Sequence, residues 1–122
     1  DQSDLDPSVL VWDIHRNIDT AFFKGERTII KIEFTDYTSK FRYWWIVIKD
    51  NDADVCLKDP GYEVDITISS DLQTLTAAWM GDTTLMKAMR EKVIVLSGSQ
   101  HLRKTINTWM GTNYYADVRP VR

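Results

Sequence analysis

Two histidines, one cysteine and a scatter of carboxylates are the side chains in this 122-residue sequence that could carry covalent or proton-transfer chemistry. His15 stands beside Arg16, and His101 lies near the start of the last helical segment. Neither falls in a recognisable triad order with Cys56 or a serine, so both read as ordinary helical residues. No His-x-x-x-His or Cys-x-x-Cys spacing is present, and a metal site would need unrelated carboxylates to converge. No metal and no cofactor is therefore expected. Ser97-Gly98-Ser99 is too short for a phosphate-cradling loop. Cys56 sits between Val55 and Leu57 on the more polar face of a strand. A nucleophilic role needs a cation that stabilises the thiolate, and only Lys58 shares that face, so a structural thiol is the better reading. Glu63 and Asp65 also share a face, with Asp54 across a hairpin. Buried, such a pair could do acid–base work. With Lys31, Glu33 and Lys58 nearby, a solvated charged face is the simpler reading. The chain is not expected to be an enzyme.

What stands out after this elimination is the load of large soft side chains: five Trp, four Met, five Tyr and four Phe. Met80, Met86 and Met89 lie close to Trp79, and Trp109-Met110 repeats the pairing. Such residues at helical spacing most often fill a core. Methionine also adapts to varied apolar partners, and sites for small apolar ligands are lined by these residue types. Trp44, Trp79, Met80, Met86, Met89, Ile106 and Trp109 are the candidate lining residues. An apolar or amphipathic small molecule is the corresponding partner.

Composition bounds the alternatives. Fifteen Lys and Arg against eighteen Asp and Glu give a formal charge of −3, and the pI near 5.3 argues against a nucleic-acid surface on these residues. The length suits one domain over residues 1–122, with 1–6 an acidic linker remnant and 112–122 a tail without periodicity. The longest apolar run, Tyr43 to Ile48, is far short of a membrane span, and residues 1–8 do not resemble a signal peptide. A soluble cytoplasmic domain is expected. Asp1 in place of Met implies processing, or a domain cut from a longer chain.

Stepping from the amino terminus, Asp6-Pro7 marks a helix start, and Leu10, Ile14, Ile18 and Phe22 extend it for about four turns to Gly25. Period two then takes over: a strand at Ile30–Phe34, a second at Phe41–Lys49 with two apolar faces that predict cover on both sides, a third at Ala53–Lys58, and a fourth at Tyr62–Ser69. Short turns at Lys49–Asp52 and Asp59–Gly61 suggest an antiparallel meander. Asp71 or Ser70 caps a helix closing at Gly81, Asp82 caps a short helix with Leu85, Met86 and Met89, Lys92–Leu96 is a fifth strand, and Leu102 to Met110 line a last helix ending at Gly111. The fold class is α+β: a mostly antiparallel five-stranded sheet with helices on one face, in the order helix, four strands, two helices, strand, helix.

Val64–Ser69, Asp71-Leu72, Trp79-Met80-Gly81-Asp82, Leu85 and the break at Gly98 together resemble the sterol carrier protein type-2 family. In that family a strand of this kind feeds a helix, a Gly turn precedes a short helix carrying Ala and Met, and a strand ending in Gly leads to a final helix. The stretch Val11–Arg16, the pair Trp44-Trp45 and the segment Val55–Asp65, above all Asp59-Pro60-Gly61-Tyr62, look like the C-terminal domain of some bacterial HxlR-type winged-helix transcriptional regulators. The resemblance implies an apolar or amphipathic ligand in a tunnel between sheet and helices, acting as the sensor signal of such a regulator. It implies contact with DNA only through an N-terminal winged-helix domain that these residues do not contain. A free-standing lipid carrier and a structural dimerisation domain are the alternatives, with a homodimer as a further expectation.

Overall fold

The computed structural model describes residues 6–111; residues 1–5 of the expected linker remnant 1–6 and the tail 112–122 lie outside the described residues. At the start of α1 (Pro7–Asn17) the Asp6 carboxylate accepts from the Ser8 hydroxyl at 2.7 Å and the Ser8 amide at 2.8 Å. These two bonds hold the Asp6 carboxyl below its ordinary pKa and satisfy a donor that every helix start leaves unpaired. Leu10, Val11 and Ile14 face the core. The helix is shorter than its apolar spacing implies. The Asp19 amide donates to the Trp109 carbonyl at 2.9 Å, so a tertiary partner replaces the next helical bond. One 3₁₀ turn, Thr20–Phe22, follows.

Five strands form one sheet: β1 (Thr28–Phe34), β2 (Tyr43–Lys49), β3 (Asp52–Cys56), β4 (Ile66–Ser70) and β5 (Val95–Gly98), in the spatial order β3-β2-β1-β4-β5. Asp50 and Asn51, both at positive φ, make the tight β2–β3 hairpin expected of Lys49–Asp52. The four-strand meander is corrected here. β4 leaves the edge at β3, passes beyond β2 and β1, and pairs parallel with β1, Ile30 opposite Ile66 and Ile32 opposite Ile68. Residues 57–65 are consumed in that crossing, which is why β4 begins at Ile66 instead of Tyr62. The crossing places β1, whose Ile and Phe side chains are all buried, at the centre of the sheet.

Register sorts the side chains into two faces. Ile30, Ile32 and Phe34 of β1, Trp44, Ile46 and Ile48 of β2, and Ile66 and Ile68 of β4 turn toward the helices and are fully buried. The opposite face carries Lys31, Tyr43, Trp45 and Val47. On this side the Lys31 ammonium sits 4.6 Å from the Tyr43 ring centre and 5.6 Å from that of Trp45, a cation held over aromatic faces. Arg42 closes the β1–β2 end, donating to Glu33 and to the Thr35 and Tyr37 carbonyls.

The helical half follows. Asp71 caps α2 (Leu72–Met80), accepting from the Thr74 amide at 2.9 Å, and Gly81 closes it. The Asp82 amide is used in that closure, donating to the Ala77 carbonyl at 2.8 Å. The cap of α3 (Leu85–Arg90) is Thr84 and not Asp82, because the helix starts at Leu85 and the Thr84 hydroxyl accepts from the Lys87 amide at 3.0 Å. Lys92–Ile94 does not start the fifth strand, because the Val93 and Ile94 amides both return to the Ala88 carbonyl; β5 begins at Val95. The last helix is two pieces, α4 (Gln100–Lys104) and α5 (Ile106–Trp109), parted at Thr105, whose hydroxyl bonds back to the His101 carbonyl at 2.7 Å. Two glycines permit the closure of this half. A Cβ on Gly98 would stand 2.4 Å from the Asp65 carbonyl oxygen, and one on Gly111 would stand 2.2 Å from that of Asn17.

Candidate apolar ligand site

α3 is the element around which the candidate site is arranged. It has six residues, and Ala88 is its one fully buried side chain. Leu85 and Met89, one turn apart on the same side, pack against the core only in part. Each end of α3 borders a depression. Leu85 and Thr84 join Ala78, Trp79, Thr83, Asn107, Met110 and Gly111 around a space of about 210 Å³. Met89 joins Ile94, Val95 and Leu96, with Lys92 and Arg103, around one of about 340 Å³. Both have mainly apolar walls. Ala88, Trp79, Ile94, Ile106 and Trp109 belong to one buried cluster, to which Trp79 at one depression and Ile94 at the other connect.

The seven expected lining residues divide into three groups. Trp79 and Met89 border the depressions, one each. Trp44, Ile106 and Trp109 are packed in the interior. Their positions there are fixed: Trp44 Nε1 donates to the Phe41 carbonyl at 2.9 Å and Trp109 Nε1 to the Leu102 carbonyl at 3.0 Å. Met80 is half-buried against the core, and Met86 is 59% exposed. Periodicity did not pick out Leu85, Met110 or Leu96 as site residues. The signal available for Leu85 was its four-residue spacing to Met89, which places both on the buried side of one short helix.

Trp79 is held from outside its own helix. Its Nε1 donates to Asp13 Oδ2 at 2.6 Å, so α1 and α2 are joined by a charge-assisted bond beside the smaller depression. Arg16 pairs with the other Asp13 oxygen at 3.2 Å. The Phe23 ring packs edge-on against Trp109, with centroids 5.5 Å apart.

The groups that could do catalysis are spent elsewhere. Asp65 Oδ2 accepts from the Ile29 amide of β1 at 2.8 Å; the Asp65 backbone amide donates to the Ile29 carbonyl and its carbonyl accepts from the Ser99 amide, so the carboxylate fastens the start of β4 to β1 and the backbone ties it to the end of β5. Glu63 is exposed. Burial pushes the Cys56 thiol pKa up, and Asp54 adds to the shift; both oppose the thiolate that a nucleophile needs. His15 Nδ1 lies 2.8 Å from the Trp12 carbonyl, and the His101 ring stacks on Phe22. Among the described residues no cluster of His, Cys, Asp and Glu could hold a metal ion, and no helix is long and apolar enough to cross a membrane.

The SCP-2 sterol transfer family model matches residues 16–109, which takes in every element around the two depressions. The chain belongs to that family. Solved structures agree on the fold. The sec-alkylsulfatase Pisa1 from Pseudomonas sp. superposes with a TM-score of 0.65 at 15% identity, over 86% of this chain and 16% of its own; the chain thus spans about one sixth of that protein's length. The ubiquinone synthesis protein UbiJ-SCP2 gives 0.59 at 13% identity, over 94% and 90%. Sterol carrier protein-2 like-3 from Aedes aegypti gives 0.55 at 10%, over 84% and 94%. No curated protein matches the sequence significantly.

Proposed function

We propose that this SCP-2 family domain is a non-catalytic carrier of an apolar or amphipathic small molecule, held beneath α3. The observation that carries this reading is a six-residue helix bordered at each end by an apolar depression and seated by a single buried methyl. Lifting α3 would join the two depressions over Trp79, Met80, Met89, Ile106 and Trp109, with Trp44 as the sheet-side floor and Met86 at the outer lip. Family membership supports a binding role without catalysis, as do the structural bond of the Asp65 carboxylate and the raised pKa of the Cys56 thiol. Displacement of a fluorescent fatty acid by unlabelled fatty acids, with native mass spectrometry of protein purified from cells, tests it. A chain that retains and binds no such molecule would refute it.

A second reading places the domain as the ligand sensor of a winged-helix regulator. It rests on the likeness of Val11–Arg16 and Asp59–Tyr62 to the C-terminal domains of HxlR-type proteins. DNA contact and dimerisation belong to this reading, and a cytoplasmic location fits both. Sequencing the gene upstream of the Asp1 codon decides between the two: a winged-helix region there makes the domain a sensor.

A further inference from the structure

The two edges of the sheet are built differently. β3 carries exposed Asp52 and Asp54, charges that discourage a further strand. β5, Val-Leu-Ser-Gly, carries no charge and is exposed over most of its length. The Ser99 amide bonds to the Asp65 carbonyl, so in this antiparallel register Ser97–Thr67 and Val95–Ser69 are the hydrogen-bonded pairs. Leu96 and Gly98 therefore turn their main-chain groups to the open edge. The bonds made there agree: the Ile94 amide meets the Ala88 carbonyl, and the Gly98 carbonyl accepts from Arg103 Nε at 3.1 Å. Beyond β5 no further strand stands among the described residues. Leu96 lies opposite Ile68 on the helix side, where with Met89 and Ile94 it walls the larger depression, and Lys92 and Arg103 border the same groove. Val95 lies opposite Ser69 on the other face of the sheet and is 50% exposed. Among the described residues neither Lys92 nor Arg103 is paired with a carboxylate.

We propose that β5 docks an extended acidic segment of a partner protein as a sixth strand. An added strand covers apolar surface on both faces at once, Leu96 on one and Val95 on the other, which a partner meeting a single face does not. The Leu96 amide and carbonyl and the Gly98 amide supply its main-chain bonds. Lys92 and Arg103 supply the complementary charge for acidic side chains that alternate onto the groove side. A second copy of this chain fits less well, because pairing β5 with β5 adds the Lys92 and Arg103 of one copy to those of the other. Docking goes beyond carriage of a ligand, because it uses the sheet edge and needs no occupied cavity.

The test is fluorescence anisotropy of the full chain with a labelled peptide, Thr-Glu-Val-Leu-Val-Glu-Thr, whose Glu, Leu and Glu share one face when extended. Saturable binding is expected, about tenfold weaker for the counterpart with Gln at both Glu positions, since two exposed charge pairs are lost. The exposed substitution Lys92→Gln should weaken binding about threefold with the circular dichroism spectrum unchanged. Only alternate amides of an added strand face the edge. N-methylation at one alternating set of peptide residues should therefore abolish binding, and at the set between should spare it. Amide exchange at Leu96 and Gly98 should slow when the peptide is bound. No binding, equal binding of the Gln peptide, an unweakened Lys92→Gln variant, or N-methylation effects without alternation overturns the proposal. So does dimerisation that slows exchange at Leu96 without peptide, which assigns the edge to a second copy. Because binding is read without ligand, failure here leaves the carrier reading standing.

Discussion

If ligand enters beneath α3, loosening that helix should speed entry by an amount the structure sets. Lifting α3 exposes the Ala88 methyl and the buried halves of Leu85 and Met89. At about 0.8 kcal/mol per methyl-sized group and about 1 kcal/mol for half of a Leu or Met side chain, opening costs about 3 kcal/mol. The open form is then populated below about 1%. Ala88→Gly removes the methyl contact, worth about 0.8 kcal/mol, and if α3 melts as it opens adds the helix penalty of about 1 kcal/mol. The open population should rise about fourfold for rigid lifting and about twentyfold for melting. Stopped-flow association of a fluorescent fatty acid reads the same factor in its rate. Hydrogen exchange at residues 85–90 reports the opening independently. Faster exchange with an unchanged association rate would refute the reasoning, because it would show α3 opening without admitting ligand.

Other expectations follow from the geometry. The Trp45 Nε1 is buried and has no hydrogen-bond partner among the described residues, so Trp45→Phe should change stability by less than about 1 kcal/mol, whereas Trp44→Phe, which strands the Phe41 carbonyl, should cost about 2–3 kcal/mol in urea unfolding. Gly98→Ala drives a Cβ to 2.4 Å from the Asp65 oxygen at a φ of +111°; a loss of over about 3 kcal/mol is expected, and near-native stability would contradict the β4–β5 register. The raised Cys56 pKa predicts slow reaction with thiol reagents at neutral pH and a rate that climbs only above the ordinary thiol range. Its contribution to stability is full below the unfolded-state thiol pKa and is lost as pH rises through the higher folded value. Asp6 behaves oppositely: with its pKa lowered, its contribution is present above the ordinary carboxyl range and disappears as pH falls through the folded value. Asp6→Ala should cost about 1 kcal/mol at neutral pH and little in acid, read from thermal unfolding.

Local chemistry made much of this protein legible before its coordinates. Asp6-Pro7, Asp71 and Gly81 mark helix ends because their side chains or backbone freedom act within one turn. Asp50-Asn51 marks a hairpin because positive φ is a property of two adjacent residues. The alternation in β1 declares which face is buried, while the two apolar faces of β2 leave that choice open. What sequence could not decide were pairings between segments distant along the chain. The parallel seat of β4 beside β1 comes from a crossing with no local signature. α1 ends at Asn17 because Trp109, some ninety residues later, offers a carbonyl. Packing also divided residues that periodicity treats alike: Trp44 and Trp109 became fixed core by donating to Phe41 and Leu102, while Trp79 and Met89 came to border open space. Hydrophobic spacing reports that a side chain avoids water; whether it meets protein or ligand depends on how closely other elements approach. For α3 that approach rests on one methyl.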